Sequence, residues 1–491
     1  MNIELTQQAM SGTLHSAGVN GTALSPEDLL IDAATFSLKR RAGVVIGGHA
    51  TEALPRAICE QREVAPDAAT DMLDHVANCA DRSLLREWIM LCNYAGYRAP
   101  AHHVGSLLNL AVMDDELLEN VIAIAGCRGW WLARQRRDWL HVYLAIQPET
   151  YMDRNLSIRT RLPSLRLLRQ SHPAMARCWL QKWLFKESDG VHVALLRTLK
   201  TGLSLDDEPY LESLLQNRHN VLVADEAANL LTCMSGSAYV RRMIERMQQA
   251  LLWRENGSLQ VVKYEFMTES MGRDAIDRYF SHSRDLEKDN WYWAMLAAVP
   301  PAFWTAHFNT NITTLLDMTT HPDSDTQLLL KGWIDAAVHH GDRKWLQALL
   351  HWLLEHRSNQ LVDYFRCRYI VQALPPSTVE DQLIRSVIEA PDDARHILDV
   401  LTHCHHNWSK TFSTVIIDYV HRLIVEGCTY NDKKIHRMLQ EIENLGLYMY
   451  PGSFFAAVDQ LNTLPEAAEF LNVLGLRYEM WRAFGLLEEG Y

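Results

Sequence analysis

Chain breakers are scarce in this sequence. Its 491 residues include 23 glycines and 16 prolines, below the roughly 12% that these two supply in average usage. That scarcity favours helices joined by short turns. Alternating strand patterns are nearly absent, and Val44-Val45-Ile46 and Leu259-Gln260-Val261-Val262 are too brief to build a sheet. No run of about 18 uncharged apolar residues occurs, and the most apolar early stretch, Gly43 to Ala50, is too short to cross a bilayer. Met1 to Thr6 lacks a basic region leading into an apolar one, so no secretory signal is expected. The nine cysteines (Cys59, Cys79, Cys92, Cys127, Cys178, Cys233, Cys367, Cys404 and Cys428) never fall in Cys-x-x-Cys spacing. Contexts such as Trp88-Ile89-Met90-Leu91-Cys92 read as buried, reduced thiols of a cytoplasmic protein. Positive charge is also short: Lys and Arg number 47 against 60 Asp and Glu, a net charge of −13. Non-specific binding to nucleic acid or an anionic membrane is therefore not the default.

What is present is ordinary globular material, 48% hydrophobic and 22% charged, which excludes a disordered chain. At about 150 residues per domain the length implies roughly three domains, unless the chain grows by adding repeats instead of cores. Helix signals run from end to end. Ser25-Pro26-Glu27-Asp28 offers a capping serine and a first-turn proline, and the apolar run after it ends at Lys39-Arg40-Arg41. Residues 324–356 predict a helical hairpin turning at Gly341-Asp342, with Leu328, Leu329 and Trp333 facing Trp345, Leu346, Leu349 and Leu350. Ser377-Thr378-Val379-Glu380 predicts a capping box opening a helix to about Ala390.

Between 159 and 250 the apolar stripes pair into helices of about 40 residues per pair, the length typical of HEAT-like repeats. Ala224, Ala227 and Ala228 are small enough for close helix approach. The expected fold is all-α, a HEAT-like α-solenoid of stacked helix pairs in two halves. Its expected parts are an N-terminal helical region over 1–150, helix pairs over 151–253, a polar connection over 254–290 and a C-terminal helical region over 291–491.

The stretches Trp88 to Pro100, Gly126-Cys127-Arg128-Gly129-Trp130-Trp131-Leu132-Ala133-Arg134-Gln135, Arg161-Leu162-Pro163, Thr201-Gly202-Leu203-Ser204 through Glu212, and Ser235-Gly236-Ser237 together form a recognisable pattern. It resembles a bacterial family of helical-repeat proteins of unknown function, mainly over 85–250, with a looser echo from Trp291-Tyr292-Trp293 to Pro301. Many members of that family carry Asn-Pro where this chain has Arg136-Arg137. Genes of the family commonly neighbour a MoxR-type AAA+ ATPase, a von Willebrand factor A protein and a SWIM zinc-finger protein. The resemblance implies a fold and partners; it carries no catalytic residues.

Individual constellations read mostly as structure. His403-Cys404-His405-His406, with His396 seven residues earlier, holds metal-ligand types, but adjacent helical residues point about 100° apart. Gly43-Val44-Val45-Ile46-Gly47-Gly48-His49 lacks the Gly-Lys-Ser/Thr ending of a phosphate loop and reads as a helix connection. Asp206-Asp207-Glu208 reads as an acidic helix start with Ser204 available to cap. No Gly-x-Ser-x-Gly, His-Glu-x-x-His or paired-carboxylate signature occurs, so no enzyme activity, cofactor or metal is expected.

One segment departs from the overall acidity. Between 128 and 169 lie Arg128, Arg134, Arg136, Arg137, Arg154, Arg159, Arg161, Arg166 and Arg169, opposed by Asp138, Glu149 and Asp153, with Trp130, Trp131 and Trp139 among them. Arginine with aromatics serves protein-interface hot spots and equally phosphate contacts with base stacking; core tryptophans under internally paired arginines are the third possibility. The expected interaction face is Arg128, Trp130, Trp131, Arg134, Arg136, Arg137, Arg159 and Arg161. The expected function is a protein-binding scaffold or adaptor, with the resemblance implying the AAA+ ATPase and the von Willebrand factor A protein as partners. The alternative is a nucleic-acid-binding helical repeat protein using 128–169.

Overall fold

The computed structural model describes residues 26–41, 60–78, 82–147, 149–150, 153, 155–183, 186–216, 220–254, 257–278, 284–320, 324–356, 366–389, 395–427 and 432–487. Helix accounts for 75% of the fold and strand for 2%, with 25 α-helices among the described residues. None of those helices is long and apolar enough to cross a membrane. The chain divides into two compact units, Met1–Ala57 and Ile58–Tyr491.

The first unit contributes the helix Pro26–Arg41, whose limits match the proline at its start and the basic cluster at its end. Leu30, Ile31 and Leu38 on it are exposed. The glycine-rich stretch 43–49 lies outside the described residues.

In the second unit, helices pack against their next and next-but-one neighbours. Val221–Thr232 packs on Asp189–Leu196 and Glu208–Gln216, and Arg343–Glu355 on Ile312–Asp317, Ser324–His340, Cys367–Ala373 and Pro376–Glu389. Ala224, Ala227 and Ala228 are fully buried at such a contact. Among the described residues two apolar cores result, one over 65–145 and one over 165–474. They meet at the last helix, Ala468–Ala483, which packs on Asp67–Ala77 and Ser83–Tyr94 and inserts Met480 into the first core. Phe484 follows it, its ring centroid 5.5 Å from that of Trp88.

The stretch read as a polar connection is built into the larger core. Leu251–Trp253 and Leu259–Val261 form an antiparallel hairpin, and Met271, Ala275 and Ile276 beyond it are buried. The boundaries expected near 150, 253 and 290 all fall within the second unit.

The hairpin over 324–356 forms as its pattern predicts. Gly341 takes φ +60 at the turn, and Asp342 caps the second helix by accepting from the Lys344 and Trp345 N–H groups. Trp333 and Trp345 pack against each other with ring centroids 5.6 Å apart and planes tilted by 56°. At the end of its first helix, His340 contacts the Ala298 carbonyl through Nε2 at 3.0 Å and Ser235 Oγ through Nδ1 at 2.9 Å. Burial pushes the imidazole down from 6.5 to about 4, against the hydrogen bond to Ala298. The neutral ring thus fits the fold, while the unfolded chain protonates first on acidification. Stability is expected to fall between pH 6.5 and 4, by up to roughly 3 kcal/mol in total. Denaturation of the wild type and His340→Asn across that range checks this: the variant should lose much of the slope.

The box expected at Ser377 differs in detail. The helix spans Pro376–Glu389, but Glu380 directs its carboxylate to the Ser409 N–H and to His406. A tertiary partner thus takes the group that local capping would have used.

Candidate functional site

The arginine–tryptophan face begins at a break in the helix Leu118–Ala133. Gly126 adopts φ 59 and ψ −154, splitting the helix in two. Glu60 fills the break: its carboxylate accepts from the Cys127 N–H at 2.9 Å and the Arg128 N–H at 2.7 Å. These are the unpaired donors of a new helical start, where a carboxylate is favoured. A Cβ on residue 126 would stand 2.4 Å from Glu60 Oε2, so the clamp needs glycine. Glu60 is held in turn because the segment after it runs beside residue 98, with Arg98 N donating to Glu63 O at 2.8 Å.

The second half of this helix carries Arg128, Trp130 and Trp131, and Arg134 ends it. Gly129 permits close approach of Tyr143, whose hydroxyl would lie 2.4 Å from a Cβ there. Tyr143 is buried, and its hydroxyl is pushed up by desolvation and by the nearby Glu60. Trp130 stands on the Tyr143 ring, centroids 5.1 Å apart, with 38% of its surface exposed. Trp131 and Arg128 are half-buried, and Arg134 and Arg136 are exposed. The Arg136 guanidinium sits 4.9 Å from the centre of the Trp139 ring and 3.6 Å from Asp138. Trp139 is oriented by its Nε1–H bond to Asn109 Oδ1 at 2.9 Å. Arg137 lies in the first turn of the helix Arg137–Ala145; its side chain and all of Arg154 lie outside the described residues.

Arg159 is exposed on the helix Ile158–Ser171 and lines a cavity of about 90 Å³ with Asp115, Asp138 and His141. Desolvation raises the Asp115 carboxyl, opposed by Arg166 and Arg159.

Arg161 does not belong on the surface. It is 3% exposed, pairs with Glu187 at 3.0 Å and lies 5.8 Å from the Trp179 ring centre. Arg169, 1% exposed, bonds to three backbone carbonyls and to Asp207. The basic segment therefore combines exposed charges with internal ones, because the chain supplies buried acids far outside it. Glu60, Tyr143 and Asn109 shape the face without marking themselves in the sequence; the only local signal is Gly126 inside an apolar helical pattern.

The His403–His406 run disperses. Cys404 is fully buried, its thiol pushed up to about 12 by desolvation. His405 stacks on Tyr448 and contacts the Thr402 carbonyl, while His406 meets Glu380 at 3.0 Å. Ser204 and Asp207 do form the reciprocal capping box at the acidic stretch. The Glu208 carboxylate accepts instead from the Ala238 N–H, thirty residues away. Among the described residues, one trio of metal-ligating types comes together, Asp74 with His102 and His103.

No curated protein matches the chain. The family of unknown function DUF5691 matches residues 4–484, nearly the whole length, and the chain belongs to that family.

Proposed function

We propose that this chain is a non-enzymatic scaffold or adaptor of the cytoplasm, a HEAT-like α-solenoid whose arginine–tryptophan face binds another protein. The observation that supports this reading is the ordering of the face before any partner arrives. Trp130 rests on Tyr143, and Arg136 lies over a Trp139 ring that is itself hydrogen-bonded. Pre-placed tryptophan and arginine lose little entropy on binding and supply most hot spots in protein interfaces. Packing of successive helices on their next-but-one neighbours supports the solenoid reading. The partners proposed are a MoxR-type AAA+ ATPase and a von Willebrand factor A protein, from the company this family keeps.

Purification of the tagged chain from its native host at low salt, with nuclease treatment, tests the proposal. Recovery of either partner is expected, and Trp130→Ala should weaken that complex about 30-fold, the loss of roughly 2 kcal/mol usual for an anchor residue. If only nucleic acid is retained before nuclease and nothing after it, the adaptor reading fails. The exposed Arg134, Arg136 and Arg159 would then serve phosphate contacts, with a steep dependence on salt.

A further inference from the structure

Away from the arginine–tryptophan face, Asp74, His102 and His103 hold one ligand atom each within 4.8 Å of one another. Asp74 lies on the helix Asp67–Ala77, and the two histidines occupy the turn just before the helix Val104–Met113. His103 Nε2 is 2.7 Å from Asp74 Oδ1, and the two imidazole rings are 4.3 Å apart. The turn is what allows this. Adjacent residues on a helix point about 100° apart, whereas the turn before Val104 lets His102 and His103 address one point.

The frame behind the trio is rigid. Leu73, Val76, Val104 and Leu107 anchor both helices in the same core, and Trp88 Nε1 donates to the Ala69 carbonyl at 2.7 Å. The turn is closed by His103 N donating to Pro100 O at 3.1 Å. Asp74 keeps 58% of its side-chain surface exposed and His103 14%, so the cluster has a fixed protein side and an open solvent side.

Two imidazole nitrogens and one carboxylate oxygen are donors that borderline divalent ions prefer over the hard oxygen-only sets of calcium or magnesium. Zinc holds such atoms at about 2.0–2.2 Å, which sets neighbouring donors roughly 3.3 Å apart. The observed distances bracket that spacing, from 2.7 Å between His103 Nε2 and Asp74 Oδ1 to within 4.8 Å across the trio. We propose that Asp74, His102 and His103 form a binding site for a zinc-class divalent ion, with water completing the coordination on the exposed side.

The test uses the full chain, freed of any histidine tag and stripped with chelator. Titration with zinc sulfate is expected to show one site filled at micromolar concentration or tighter. Cobalt(II) in its place should give the visible absorption of a low-coordinate nitrogen–oxygen site. His102→Ala, His103→Gln and Asp74→Asn should each weaken zinc binding at least about 30-fold and abolish the cobalt spectrum, while His403→Ala/His405→Ala changes neither. Circular dichroism confirms that each variant is folded; a misfolded one is replaced by His102→Gln, which leaves the helices untouched. Absence of stoichiometric binding in the wild type, or equal binding in folded trio variants, overturns the proposal.

Discussion

Replacing Arg477 with alanine is expected to destabilise the second unit by about 3–5 kcal/mol, the cost of stripping one partner from a buried ion pair. The Arg477 side chain is fully buried, and all its donors are used. Nε and Nη2 grip the two Glu87 oxygens at 2.7 and 2.8 Å. Nη1 serves the Gly446 carbonyl at 2.9 Å and the Met449 carbonyl, and Nη2 reaches Asn407 Oδ1 at 3.0 Å. Trp481 adds its Nε1–H to Glu87 at 2.8 Å. Alanine would strip the Gly446 and Met449 carbonyls of their guanidinium donor and leave Glu87 with Trp481 in place of the charge it is paired to. Because Glu87 and Arg477 join the last helix to the first core across 390 residues, the damage should concentrate there. Urea denaturation and hydrogen exchange check it: early loss of protection over 83–94 and 446–449 is expected. Glu87→Leu/Arg477→Met should recover part of the loss, since removing both charges relieves the unpaired one. A change below 1 kcal/mol for Arg477→Ala would show that apolar packing around Met480 and Phe484 closes the unit unaided.

Asp207→Ala carries a comparable expected cost, again about 3–5 kcal/mol. Asp207 and Arg169 both have fully buried side chains and are directly paired. Asp207 also accepts from Arg177 at 2.9 Å and from the Ser204 N–H at 3.1 Å. Arg169 is pinned to the Pro173, Thr201 and Gly202 carbonyls at 2.8, 2.9 and 3.1 Å. Gly202 reaches this geometry with φ +62. Removing the carboxylate leaves a buried guanidinium held only by neutral carbonyls, and unties the capping box with it. Ser204→Ala removes only the cap and should cost about 1 kcal/mol. Thermal and urea unfolding of the two variants side by side separate the charge from the cap. Equal small losses would mean that water reaches Arg169.

These two arginines show where the sequence stops being readable. Arg169 stands among nine arginines, and its position resembles that of the exposed Arg166 three residues earlier. Its acid lies 38 residues on, that of Arg161 26 residues on and that of Arg477 390 residues back. Charge patterning over a short window cannot distinguish a solvated arginine from a buried one, because the difference is made by a distant acid. The His403–His406 run shows the same limit from the other side. Its density drew notice, yet the residues scatter, while His102 and His103 gain a third ligand from Asp74, 28 residues away.

The helices themselves were legible because their signals act within about four residues. Pro26 and the Lys39–Arg41 cluster bound a helix that runs Pro26–Arg41, and Gly341-Asp342 turns the hairpin as its chemistry requires. The all-helical class and family membership follow from such local signals added along the chain. Tertiary packing alone decided which arginines face solvent, how Glu60 breaks and clamps the helix beneath Trp130, and that the last helix returns to the first core. Those outcomes depend on burial and on partners far apart in sequence, where the cost of an unpaired charge, not local propensity, selects the arrangement.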